Sequence, residues 1–403
     1  MAIAGLRGTG DMGTDERPKN FREMILWRSP QGMAPLTALL SKMSSESTDD
    51  PEFSWWEEEL NQMRAQVFFT TGFSTTDTSL TIRTTIATDG LDLVPGDVLL
   101  VEKAIASGAY DHELVVVSSI TSSSVIVVAR AFAGTSAAPI ANNTWLTKIG
   151  NTFAEGTGSP NVSTRNPTKF FNYCQIFKTA YENTKTLAKT KMRTGDPLKN
   201  DRKRKMFDHS VALENAFLFG KRSETTGANG KPQRTSAGIL QQLQLGNSSS
   251  IFAFSTTPTV NSILDNLYQI WDYESEAGSE RIAFCGNNAL NTLNKVANAA
   301  SNTRLNFDGY VTLYGMKLMR WILPQGEIYL KTHPLFNNHG RFTNDMLVLD
   351  PTVLKYRYLR DTDFQDNIQA NDADTQKGQW LTEAGLELHH AKTCKWLSNM
   401  TFP

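Results

Sequence analysis

The sequence predicts an α+β fold, and three observations carry that prediction. Short Thr-, Val- and Ile-rich runs crowd the stretch 66–150. Apolar residues recur at helical spacing in two later stretches, 197–220 and 257–276. From Gly309 onward extended apolar runs return and continue almost to the end of the chain. Strand-rich and helix-rich blocks thus follow one another along the chain, the pattern of an α+β protein.

Residues 1–55 read as an arm: polar, mostly extended, with short apolar runs at "MILW" and "PLTALLSKM", and burying little of its own surface. In "DDPEFSWWEEELNQM" Asp50 is placed to cap a helix, Pro51 suits its first position, and acids load the early turns. The runs "TSLTIRTTIA", "GDVLLVEK", "ELVVVSSI" and "SVIVVARAF" are separated by Gly, Ser, Pro and Asp turns, which gives a small antiparallel barrel or sandwich. A Gly/Pro/Ser/Thr connector, 151–168, ends the region 56–168. "FFNYCQIFKTAYENTKT" begins as a strand and becomes more helical.

From Pro197 a helix is expected to run to Gly220, with Met206, Ser210, Leu213 and Phe217 in one stripe. Gly220 is expected to cap it in the left-handed conformation, and Ser223 to Pro232 to form a flexible surface loop. Thr257 and Pro258 mark the start of the next helix, whose apolar positions are Val260, Ile263, Leu264, Leu267, Ile270 and Trp271. "RIAFCGNNALNTLNKVANAA" reads as a buried strand, a Gly turn and a helix with Leu290, Leu293, Val296 and Ala297 on one face. The segments after Gly309 are expected to close the chain in a mostly antiparallel sheet.

At 403 residues the chain can bury a sizeable core, and a net charge of −1 gives no global attraction to nucleic acid or to an anionic membrane. Three scattered cysteines, Cys174, Cys285 and Cys394, argue for a reducing compartment, and against a disulfide framework or a zinc site. The N-terminus lacks the apolar core of a signal peptide, and the most apolar stretch is too interrupted to span a membrane.

No catalytic, cofactor or metal signature emerges. Gly230-Lys231 is followed by Pro232 and preceded by a helix, the reverse of a phosphate-binding loop. His389 and His390 are adjacent in a predicted strand and point to opposite faces, while His333 and His339 only flank "PLFNN". One charge run stands out: Lys185, Lys189, Lys191, Arg193, Lys199, Arg202, Lys203, Arg204 and Lys205, against Asp196 and Asp201. It is read as a solvated helix face, a dock for an acidic surface of another copy, or a contact for DNA phosphates.

Four stretches resemble the major capsid proteins of tailed double-stranded DNA bacteriophages, which have the Hong Kong 97-like fold. "RSPQGMAPLTALLSKM" with "SWWEEEL" is similar to an N-terminal arm, and "NYCQIFKTAYENTKT" to the entry into the peripheral domain. "DHSVALENAFLFGK" resembles the end of a long spine helix, with a Glu shortly before Gly220. "LYGMKLMRWIL", "MLVLDPTVLKYRYLRDT" and "LTEAGLELHHAKTCKWL" are similar to closing strands.

The resemblance implies an arm over 1–55 and an extended loop region with a β-rich insertion over 56–168. It further implies a peripheral domain with the spine helix over 169–240, an axial domain over 241–308, and closing strands over 309–403. It implies a self-assembling subunit in the virion, made in the host cytoplasm, with no enzyme activity and no cofactor. Partners would be other copies in hexamers and pentamers, a scaffolding protein, a portal, a decoration protein, and packaged DNA, with no membrane. Candidate inter-subunit or DNA-facing residues are Trp27, Leu36, Leu39, Trp55, Trp56, Arg202, Lys203, Arg204 and Lys205; the two adjacent tryptophans serve equally well as core of the subunit itself. The competing readings are a tail or head-decoration protein and an α/β enzyme with a barrel accessory domain.

Overall fold

The computed structural model describes residues 35–40, 45–58, 63–83, 93–102, 112–159, 166–192, 195–299, 306–313, 316–338 and 340–402. The chain divides into two units: Trp55–Phe170, and Met1–Ser54 together with Phe171–Pro403.

The inner unit answers the choice between barrel and sandwich. Strands Arg64–Gln66, Ser79–Thr81, Asp97–Val101, Leu114–Ser122, Val125–Phe132 and Trp145–Asn151 form one six-stranded sheet. Its two outermost strands, Arg64–Gln66 and Ser79–Thr81, meet beyond their ends. Val67 bridges Ile82, Phe68 N–H donates to the Thr81 carbonyl at 2.9 Å, and Arg83 N–H donates to the Gln66 carbonyl at 2.7 Å. The sheet is therefore a barrel, which leaves no long open edge. Alternation supplies its interior: Leu99 and Val101, Val115 and Val117, Ile126 and Val128 all point inward and are buried.

The larger unit is organised around a seven-stranded mixed sheet in the order Ile251–Ala253, Lys395–Ser398, Met346–Leu349, Glu280–Cys285, Glu327–Thr332, Met316–Ile322 and Asn306–Leu313. Its inner strand Met346–Leu349 is apolar and buried at every position because both faces are covered. Ile282, Phe284, Leu347, Leu349 and Trp396 face one core, while Ala283, Cys285, Met346, Val348 and Leu397 face the other. Helix Asn287–Ala299 covers the second face with Ala289, Leu293 and Val296.

A second, four-stranded sheet is built on a long antiparallel pair, Leu354–Gln365 with Thr375–Leu388. Gln175–Thr184 pairs antiparallel along one side, and the short strand Ser45–Ser47 pairs parallel to Tyr356–Tyr358 on the other. Helix Pro197–Phe219 packs on this sheet. Asp196 caps it, accepting from Leu198 N–H at 3.0 Å, and Pro197 takes the first position. The buried row is His209, Leu213, Glu214, Phe217 and Leu218; Met206, placed on the apolar stripe by spacing, is exposed.

Several expectations are corrected. "EFSWWE" is the strand Glu52–Glu57, with Phe53 and Trp55 buried and Trp56 exposed, so a period of two prevails over the helix-start signals at Asp50 and Pro51. Gln175–Thr184 is strand to its end, and only Lys185–Lys189 is helical. Ser223–Pro232 is not a loop: Ser223–Thr226 and Pro232–Thr235 form a hairpin. The helix cap at 257 moves to Thr259, whose hydroxyl accepts from Ser262 N–H in a capping box.

Gly220 ends its helix as expected, but at φ −58° and ψ 150°, not in the left-handed region. Glycine is needed there for space. A Cβ on Gly220 would sit 2.5 Å from the carbonyl oxygens of Ala216 and Ser236, and Gly238 donates to the Gly220 carbonyl at 2.9 Å.

Candidate functional site

The groups able to do chemistry are built into the interior. His209 is buried, with Nδ1 3.1 Å from the Thr179 hydroxyl and Nε2 2.8 Å from that of Thr382; burial holds its pKa below the usual value. All three thiols are buried, and burial pushes Cys174 up to about 12 and Cys394 up to about 11, far from a reactive thiolate. His389 lies against Glu387, and the Glu387 carboxyl, which burial alone would push up, is held below its usual range by His389 and Arg357. His339 lies outside the described residues. Among the described residues no three His, Cys, Asp or Glu side chains converge as a metal site. An open cavity of about 450 Å³ between Cys174–Ile176 and the hairpin is lined by Lys231, Gln233, Arg234 and Glu383.

A buried polar cluster joins the long helix to the N-terminal segment. The fully buried Glu214 carboxylate accepts from Leu36 N–H at 2.7 Å, Thr37 N–H at 2.8 Å and the Thr37 hydroxyl. It also accepts from His333 Nε2 at 2.9 Å. Leu335 N–H donates to His333 Nδ1 at 3.2 Å, so the ring carries its proton on Nε2 and points it at the carboxylate. A side chain on the long helix thus caps the short helix Pro35–Leu40.

That arrangement corrects two candidates. Leu36 and Leu39 are fully buried in the chain's own core, beside Leu213 and Phe217, and have no surface for a neighbour. Trp55 is buried as well, donating from Nε1 to Glu57 at 2.8 Å and stacking on Phe170 at 6.1 Å. Trp56, one residue on, is 62% exposed. Trp27 lies outside the described residues, as does Arg193 of the basic run.

The basic run is only partly available to a partner. Arg202 lays its guanidinium over the Phe364 ring at 3.6 Å, tying the helix to the long strand pair. Arg204 faces Asp201 at 3.5 Å, and Lys205 faces Asp208 at 3.1 Å, both at three-residue helix spacing and exposed enough to contribute little. Lys185, Lys189, Lys191, Lys199 and Lys203 are exposed.

Sequence spacing missed a second surface. On the barrel exterior Met63, Phe68, Phe69, Trp145, Ile149 and Phe153 are all exposed, with Arg64 over Trp145 at 4.7 Å and Arg83 over Phe68 at 4.8 Å. In Trp145–Asn151 the buried Leu146 alternates with Trp145, so the period of two was the available signal. The unit holding this patch has eleven acids against seven bases over residues 55–170.

Large apolar side chains standing on the outside of a barrel mark a surface that meets a partner. The sequence comparison is specific: the family model described as SU10 major capsid protein matches residues 7–401, and the chain belongs to that family. It is a phage major capsid protein. A curated major capsid protein of Pseudomonas phage PaMx41 is 25% identical over 409 residues, covering 95% of this chain and 92% of the relative. Among solved structures, one from Microbacterium phage Oxtober96 is 11% identical, covering 96% of each chain at a TM-score of 0.47. The capsid of Myoviridae phage XM1 is 8% identical, covering 94% of this chain and 96% of the other at a TM-score of 0.45.

Proposed function

We propose that this chain builds the icosahedral shell of a phage head from rings of identical copies, with the Hong Kong 97-like division of labour. In this reading 1–55 is the arm and 56–168 is the extended loop region enlarged by the barrel. Residues 169–240 are the peripheral domain with its spine helix, 241–308 the axial domain, and 309–403 the closing strands. The copies associate as pentamers and hexamers, and identical subunits adapt to both environments through loops and hairpins such as 221–236. The shell is made in the host cytoplasm with a scaffolding protein, a portal and a decoration protein. It performs no catalysis and holds no cofactor.

The observation that carries the reading is the exposed patch of Met63, Phe68, Phe69, Trp145, Ile149 and Phe153 on a barrel that already has a complete core of its own. Such side chains gain by leaving water, at roughly 25 cal/mol per Å² of apolar area, and a neighbouring copy is the surface the shell supplies. Trp56 extends the list of candidate contacts. The lysines at 185, 189, 191, 199 and 203 are among the exposed residues of the basic run, and they serve either an acidic neighbour or the phosphates of packaged DNA.

Negative-stain electron microscopy of the purified chain tests the reading. Closed or tubular particles support it, and small discrete oligomers at assembly concentrations contradict it. Reversing Lys199 and Lys203 to Glu tests the basic surface. Particle yield or DNA retention is expected to fall, and normal particles with normal DNA content would remove both roles from that run.

A further inference from the structure

The described residues begin at Pro35, and after Ser47 the chain runs on to the strand Glu52–Glu57. Between them the segment 35–48 touches down through two devices. The first is the Glu214 carboxylate, which receives two backbone N–H groups and a hydroxyl from Leu36 and Thr37 across 178 and 177 residues of chain. The second is the three-residue parallel pairing of Ser45–Ser47 with Tyr356–Tyr358, with Glu46 paired to Arg357. Six helical residues and three strand residues are too few to hold a position by their own propensity.

Hydrogen-bond accounting makes Glu214 hard to replace. Every donor around it is committed: Leu36 and Thr37 N–H belong to a helix start, and His333 is locked with its proton on Nε2 because Leu335 N–H occupies Nδ1. A carboxylate accepts all four bonds. A carboxamide has one oxygen, so its NH₂ group would face a donor whichever way it turned. The charge also lies at the helix start, where the exposed N–H dipoles favour it.

We propose that Glu214 is a positioning residue for assembly: it sets the point and direction from which the N-terminal arm leaves each subunit, so that arms of identical copies reach equivalent places on their neighbours. This rests on the shell-subunit reading. Glu214 has no surface and touches no neighbour itself; it acts through the segment it holds.

The test uses the full-length chain with E214Q, T37V and, as a control, V117A, which lowers stability inside the barrel core and leaves the segment alone. Amide exchange over 35–48 is expected to rise about tenfold or more in E214Q, and by less in T37V, which loses only the hydroxyl bond, while exchange in 375–388, which does not pair with the segment, stays at the wild-type level. E214Q is expected to form malformed or open particles, whereas V117A forms normal ones. A purely structural role would make E214Q and V117A assemble alike. Unchanged exchange over 35–48, or wild-type particles from E214Q, overturns the proposal. If E214Q does not fold, T37V decides it by the same two readouts. Wild-type chain that never forms shells would sink the shell reading and leave the exchange result standing.

Discussion

The barrel is held by a buried ion pair whose removal has a calculable effect. Glu113 and Arg130 are nearly fully buried and paired in a fork, Nε to Oε1 at 2.6 Å and Nη2 to Oε2 at 2.8 Å. The carboxylate also accepts Ala131 N–H at 3.1 Å and Ala138 N–H at 3.2 Å, and Arg130 Nη1 donates to the carbonyls of Ser74 and Asp77, both at 3.0 Å. R130M keeps much of the stem but leaves a buried carboxylate with two of its four donors and deprives those carbonyls of theirs. Breaking one side of a buried pair costs about 3–5 kcal/mol, which raises amide exchange in Leu114–Ser122 roughly a hundred- to several-thousandfold.

The pH dependence has a defined sign. Burial alone would push the Glu113 carboxyl up, but the bonds from Arg130, Ala131 and Ala138 prevail and hold it below its usual range. A depressed folded value contributes stability above the unfolded value of about 4.3 and loses it as pH falls through the folded one. R130M removes the main cause, so the gap between variant and wild type is expected to narrow on acidification. The assay is hydrogen exchange by mass spectrometry on both chains between about pH 3 and 7, corrected for intrinsic rates, a range that spans the unfolded value. A cost under about 1 kcal/mol at neutral pH, or a gap that widens in acid, refutes the reasoning.

Three further outcomes follow from particular contacts. G220A places a methyl group against two carbonyl oxygens and is expected to lower stability by about 1–3 kcal/mol, measured by urea unfolding. Burial pushes the Asp345 carboxyl above its ordinary value of 3.8 against the pull of its bonds from Trp396 and Asn399. Stability from such a group is full below that value and is lost as pH rises through the folded one, so D345N costs most in acid and least near neutrality in a melting series. W145S with I149S is expected to leave the subunit's stability within about 0.5 kcal/mol and to reduce particle yield in electron micrographs.

Much of the architecture was legible because the relevant signals are local. The barrel strands, the helix from Pro197 and the strand–turn–helix at 281–300 carry clean periods and turn residues. Other readings failed where tertiary context decided. Asp50 and Pro51 signal a helix, yet Phe53 and Trp55 alternate with exposed Ser54 and Trp56, and burial of one strand face wins. Gly220 reads as a left-handed cap, but its requirement comes from Ser236 and Gly238, which spacing along one helix does not reveal. Leu36 and Leu39 looked like anchors for a neighbour because nothing nearby in sequence could cover them. The cover arrives from Leu213 and Phe217, and its polar counterpart, Glu214, appeared in the sequence only as an acid in an apolar helix stretch.

Imaging the purified full-length chain under assembly conditions tests the central claim most directly. Closed shells of uniform diameter, built from rings of identical copies, are the predicted result. A population that stays monomeric or stops at small oligomers across concentration and salt would contradict it.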